Sequence, residues 1–193
     1  MVFGALFLSL GTVSFADHLS ALDLSGRYAE ITKTNHEKAL AYNTDPIHNA
    51  FFTVDEITIP MVLLSNCVKE QTTFEECWNG GVSEFWGNCV DRQLERGVVG
   101  FTYIMIGCDS MHTELLIDIL NHELQRLKIV RDGWIDDTVD LQQRSWETYL
   151  DTTCQLNQDL VADGTGGFMP HCRKNGYLNR IIDVEQLRTN AIQ

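Results

Sequence analysis

The sequence predicts a mainly α protein: a small helical bundle stapled by disulfides, with an N-terminal extension ahead of it. Three observations carry that expectation. After position 108 the apolar residues recur every three or four positions through three long segments. Six cysteines are present with no CxxC pair among them. The chain has 193 residues, which suits one domain, or one domain with an extension.

The first sixteen residues contain no charge, and residues 2–13 are mostly apolar. Ser14, Phe15 and Ala16 put small residues three and one positions before a possible cut, and Asp17 and His18 end the apolar run. This is the apolar region and cleavage site of a secretory signal peptide, although no Lys or Arg precedes it. The competing reading is a buried N-terminal helix. A membrane span needs about 20 apolar residues, more than this run supplies. Cleavage at 1–16 leaves residues 17–193 and the expectation of no membrane span.

Residues 17–66 form the extension, of unknown role. Within it residues 25–41 read as a helix, with Ser25 as N-cap and Tyr28, Ile31 and Ala39 on one side. Residues 53–64 are rich in Thr, Val and Ile and contain Pro60, which points to an extended segment or an edge strand. Residues 67–193 form the disulfide-linked helical domain. Its first part, 66–108, carries Gly80, Gly81 and Gly87 among Trp78, Phe85 and Trp86, a pattern of short helices and turns. Residues 98–106 are strongly apolar and fit a buried helix or a strand equally well.

From Cys108 the periodicity is clear. Asp109 or Ser110 can cap a helix reaching about residue 130, with Leu116, Leu120, Leu124 and Leu127 on one stripe. Lys128 and Arg131 near its C-terminal end complement the helix dipole, and Asp132-Gly133 breaks it. A second helix starts near Asp136 or Asp137 and runs to about Leu160, with Trp146, Tyr149, Thr153, Leu156 and Leu160 on one face. Residues 164–167, Gly-Thr-Gly-Gly, end it. A third covers about 171–188, with Tyr177, Leu178, Ile181 and Ile182 as its apolar face. Three such helices with short connections form a bundle.

Lys plus Arg number 14 and Asp plus Glu 27, a net charge of −13. Such a surface repels nucleic acid phosphates and anionic lipid heads, and attracts cationic partners. Cys67, Cys77, Cys89, Cys108, Cys154 and Cys172 behind an export signal read as three disulfides, for which 15 connectivities exist. Zinc is the weaker reading, since His171 beside Cys172 is the only close Cys/His pair. If Cys154 and Cys172 are joined, the bridge ties the second helix to the third, and a loop of that size stabilises by about 3 kcal/mol.

Several of these residues fall in an order that resembles a known family. Cys108 precedes Leu120-Asn121; Trp146, Tyr149, Asp151 and Cys154 follow a W-x-x-[YF]-x-D-x-x-C helix; Gly166, Gly167, Met169, Pro170 and Cys172 follow a Gly-rich loop leading to a second cysteine; Leu178, Arg180 and Leu187 follow its closing helix. Residues 108–187 therefore resemble the small exported bacterial domain of the lysozyme-inhibitor LprI type. The sequence departs from the pattern at Asp118, one place off the family's Asp, at Leu124 for its Tyr and at Leu150 for its Arg. The resemblance implies a Cys154–Cys172 disulfide, a periplasmic or secreted location and, for some members, inhibition of lysozyme. For the other four cysteines the sequence-local choice is Cys67–Cys77 and Cys89–Cys108.

No residue pattern marks catalysis. Asp136-Asp137 and Glu75-Glu76 are adjacent and point apart, unlike the facing acids of a glycosidase. No GxSxG, HExxH or P-loop occurs, and paired cysteines leave no thiolate. Glu114, Asp118 and His122 share one helix face and could bind a metal, but a solvated face opposite the leucine stripe is the better reading. Glu123 and Arg126 read as surface charge pairing, and Trp146 and Tyr149 as core. No enzyme, metal or cofactor is expected. The expected function is an exported acidic binding protein that inhibits a cationic lysozyme-like cell-wall hydrolase, with Asp136, Asp137, Glu147 and Asp151 as candidate contacts. An immunity protein against a delivered toxin, or an envelope structural protein, are the alternatives.

Overall fold

In the computed structural model, which describes residues 26–43, 54–68, 72–130, 136–161 and 168–192, every regular element is helical. The expected signal segment lies outside the described residues, as does Ser25. In chain order the helices are α1 (Ala29–Asn43), α2 (Val54–Cys67), α3 (Phe74–Cys77), a π turn (Trp78–Val82), α4 (Ser83–Gly87), α5 (Cys89–Glu95), α6 (Phe101–Val130), α7 (Asp136–Val161) and α8 (Phe168–Ile192). The mainly α, disulfide-stapled fold is the one the periodicity predicts.

Of residues 53–64, expected as extended chain or an edge strand, 54–64 are instead most of α2, with Pro60 inside the helix, and 53 lies outside the described residues. Packing outweighs the lost backbone bond and the local preference. Met61, Leu64 and Val68 recur at three and four residues and are buried, and Pro60 is buried beside them. The apolar run at 98–106 resolves into a short connection and the first turns of α6, which begins earlier than Asp109. Asp109 is a buried mid-helix residue rather than a cap.

The centre of the fold is α6. Leu116, Leu120, Leu124 and Leu127 are all buried, and α6 packs most extensively against α8. One core runs from Tyr28 through Met61, Leu64, Phe74, Trp78 and Trp86 to Ile181 and Val184. A smaller cluster joins Cys89, Ile104, Cys108 and Met111. Close approach at the N-terminal side requires glycine: a Cβ on Gly26 would stand 1.5 Å from the carbonyl oxygen of Ser65. The segment therefore passes against the end of α2, where Arg27 N–H donates to Val68 O at 3.3 Å.

Three disulfides tie the helices together, with Cys77, Cys89, Cys108 and Cys154 buried. Cys67–Cys77 joins α2 to α3, Cys89–Cys108 joins α5 to α6, and Cys154–Cys172 joins α7 to α8. These are the pairs the local spacing and the resemblance suggest. A capping box holds α3: Thr73 Oγ1 accepts from Glu76 N–H, and Glu76 accepts from Thr73 N–H.

Charged groups hold the interior. Glu123, expected in a surface pair, is fully buried. Tyr28 Oη donates to it at 3.0 Å, and Arg27, Arg126 and Arg188 stand 3.5–3.7 Å away. Glu185 accepts from Arg27 and, at 2.7 Å, from Phe74 N–H. Burial, and then the Glu123 carboxylate, push the Tyr28 phenol well above its usual range. A second buried carboxylate, Glu56, ties α2 to α5 through Gln93 at 2.9 Å, Arg96 at 3.2 Å and Arg92 at 3.4 Å.

Candidate functional site

A cleft of about 320 Å³ opens where α1 and α2 lean on α6. The helices bring two kinds of side chain to it. Ile57 from α2 and Met111, Leu115 and Ile117 from α6 supply apolar wall, while Asn35 and Lys38 from α1 and Glu114 and Asp118 from α6 supply the polar part. Glu114 and Asp118 are one helical turn apart, so both carboxylates reach the same cleft. Lys38 Nζ donates to Asp118 Oδ2 at 2.8 Å. Both partners are solvent-accessible, with side chains 50% and 32% exposed, so the pair contributes at most about 1 kcal/mol and exchanges easily. Glu114 is exposed and has no ion-pair partner among the described residues.

His122, expected on the same face as these acids, leaves the cleft. Its ring meets Tyr28 edge-on at 5.6 Å, and burial lowers its pKa although Glu123 opposes the shift. Among the described residues no group of three His, Cys, Asp or Glu side chains has the geometry to hold a metal ion.

The four candidate contacts on α7 do not form one free acidic patch. Asp136 opens the helix, and its side chain lies outside the described residues. Asp137 is exposed. Glu147 is half-buried and accepts from Gln143 Nε2 at 3.0 Å. Asp151 is exposed and paired with Arg173, at 2.8 Å from Nε and 2.7 Å from Nη2.

The expected apolar face of α7 needs correction. Trp146 packs on the core and meets Tyr177 edge-on at 5.2 Å, but Tyr149 is 67% exposed, and Leu156 and Leu160 also face out. The inner stripe is Val139, Gln143, Leu150 and Cys154. The helix carries two apolar stripes, and the disulfide and Leu150 turn the second one toward α8.

Two histidines differ in their surroundings, His171 being exposed and His112 buried. His171 Nδ1 lies 3.2 Å from buried Asp109 and its Nε2 lies 3.0 Å from Asn175 Nδ2. Asp109 also accepts from Lys174. His112 stacks on Trp86 at 4.2 Å with neither ring nitrogen hydrogen-bonded. Burial, then Lys174 and Arg92, push its pKa down to about 3, so it is neutral at ordinary pH. All six cysteines are in disulfides, which leaves no thiolate nucleophile.

Glu114 and Asp118 are the two carboxylates that line this cleft. Sequence reasoning found both on one helix face but took that face for plain solvent, because the walls of the cleft come from α1 and from the misread α2. No protein-family model matches the chain, and neither a curated protein nor a solved structure is found to be similar to it.

Proposed function

We propose that the chain is an exported acidic binding protein that captures a cationic cell-wall hydrolase of the lysozyme type and inhibits it by covering its substrate cleft. The observation that carries this reading is the acid-lined cleft. Among the described residues Glu114 has no ion-pair partner, and Asp118 already holds an ammonium group, that of Lys38, in an exchangeable pair. A lysine or arginine side chain of a partner fits the same chemistry, with its stem on Ile57 and Leu115 and its head on the carboxylates. The net charge of −13 steers a basic protein toward this surface. Three disulfides suit an oxidising compartment, where such hydrolases act. The Trp146-to-Cys172 pattern, with its resemblance to the lysozyme-inhibitor LprI type, adds to the reading.

The test is a lysis assay in which the purified protein is titrated into a basic lysozyme acting on cell walls. Inhibition is expected at low salt and is expected to fade as salt screens the charges. Glu114→Gln combined with Asp118→Asn should raise the half-inhibiting concentration about tenfold, the equivalent of about 1.4 kcal/mol. Absence of inhibition at large molar excess over several basic hydrolases rejects the reading.

A further inference from the structure

We infer that Asn79 is a site of spontaneous chemical modification: its side-chain amide is lost to attack by the Gly80 backbone nitrogen, leaving aspartate or isoaspartate in the π turn between α3 and α4. The sequence contains two Asn-Gly dipeptides, 79–80 and 175–176. Glycine after asparagine leaves the attacking nitrogen without a neighbouring side chain to shield it. Asn79 and Asn175 are both exposed, so access of water does not separate them. The backbone does. Gly80 leaves the helical region, with φ −79° and ψ 15°, and Gly81 follows at φ 139°. A Cβ on either glycine would meet nothing within 4 Å, so the turn has room to move around them. Among the described residues Asn79 makes no side-chain hydrogen bond. Asn175–Gly176 lies in the middle of α8. There the Gly176 N–H is engaged within the helix, and a Cβ on Gly176 would stand 2.4 Å from Leu150 Cδ1. Asn175 Nδ2 also lies 3.0 Å from His171 Nε2. Ring closure requires the peptide after the asparagine to rotate, and the packing of α7 on α8 opposes that rotation at 175–176.

The reaction balances with water and base alone. Base takes the Gly80 N–H proton, and the nitrogen attacks Asn79 Cγ. The new C–N bond closes a succinimide ring, the Cγ–Nδ2 bond breaks, and ammonia leaves. Water then adds to one of the two ring carbonyls. Opening on one side gives aspartate. Opening on the other gives isoaspartate, in which the chain runs through the former side chain and gains a backbone carbon. Either product adds a carboxylate to a chain already at −13. It stands one helical turn from Glu75 and Glu76, where like charges repel. It also adjoins Trp78, whose ring lies 5.7 Å from Phe74 and 4.5 Å from Trp86 in the core. Isoaspartate at this point lengthens the backbone between Cys77, which is tied to Cys67, and buried Val82.

Peptide mapping of the full chain with its disulfides intact tests this. The folded protein is held in mildly alkaline buffer, and the amide-to-acid mass change and the isoaspartyl peptide are followed over time at both asparagines. Conversion at Asn79 should run at least about tenfold faster than at Asn175, where the helix must open first. In urea with a thiol reductant the two rates should converge, since only the fold separates the two dipeptides. Gly80→Ala should slow conversion at Asn79 severalfold with helicity and disulfide pairing unchanged, because the added Cβ meets no neighbour yet shields the nitrogen. Equal rates at the two asparagines of the folded chain overturn the inference, and so does faster conversion at Asn175. So does a difference that persists undiminished in urea, which would belong to the neighbouring residues and not to the turn. An unchanged rate in Gly80→Ala also overturns it, because the amide would then be hydrolysed by water without the backbone nitrogen.

Discussion

Arg27, just ahead of the first helix, is ion-paired with Glu185 in the last, 158 residues further along the chain. Around this pair Glu123, Tyr28 and Arg188 close a buried network that joins the N-terminal segment, α6 and α8, while Phe74 N–H adds α3. Two carboxylates face Arg27, Arg126 and Arg188, so removing either carboxylate leaves buried guanidinium charge uncompensated. Glu123→Ala is expected to destabilise the fold by about 3–5 kcal/mol, and Glu185→Ala comparably. Urea unfolding measures both. A loss under about 1 kcal/mol for Glu123→Ala would show that water already replaces the carboxylate.

His112 gives a pH dependence whose sign follows from its environment. In the folded protein the ring takes up a proton only near pH 3, because burial and then Lys174 and Arg92 oppose its charge. In the unfolded chain it does so at about 6.5. Between those values the unfolded state binds more protons, so stability falls as pH drops, by about 1.4 kcal/mol per unit. From pH 7 to pH 5 His112 therefore accounts for a loss of about 2 kcal/mol. His112→Phe keeps a ring against Trp86 and cannot titrate. Urea midpoints at the two pH values should shift less in that variant than in the parent, and equal shifts would assign the acid sensitivity to another group.

What was legible in the sequence follows from how each element is stabilised. The stripe of Leu116, Leu120, Leu124 and Leu127 could be read because one helix face does all the burying. The disulfides could be read because each joins neighbouring helices over a short loop. α2 was hidden by Pro60, a local signal that Met61, Leu64 and Val68 override in three dimensions. On α7 two apolar stripes compete, and composition alone cannot say that Leu150 rather than Tyr149 turns inward. Glu123 looked like surface because its counter-charge from Arg27 and Arg188 comes from distant segments. The cleft was half legible: Glu114 and Asp118 lie one turn apart in sequence, but Lys38 and Ile57 arrive only through folding.

The Cys154–Cys172 bridge sits where α7 leans on α8 and contributes about 3 kcal/mol on the loop-entropy model. Replacing both cysteines by serine should lower stability by about that amount. The loss should appear first as faster amide exchange in α7, whose hold on the body runs chiefly through α8. Non-reducing peptide mapping of the parent should return the three pairs and no free thiol. Uniform exchange changes across α1 to α8 would contradict the local role given to this bridge.

Gly176 permits the close crossing of α7 and α8 beside that bridge. A Cβ built there stands 2.4 Å from Leu150 Cδ1 and 2.8 Å from Cδ2, so one of the two side chains must give way. Because the obstacle is a leucine tip rather than backbone, the strain is of the overpacking kind, about 1–3 kcal/mol, more than alanine's better helix propensity returns. The decisive measurement is a double-mutant cycle in urea. Leu150→Ala alone opens a cavity and costs about 2–5 kcal/mol. In the Gly176→Ala, Leu150→Ala variant the new methyl group enters the space the leucine left. The combined loss should then be smaller than the sum of the single losses by about 1 kcal/mol or more. Strict additivity would mean that the two helices separate to admit the methyl group, and that the 2.4 Å approach does not set their spacing.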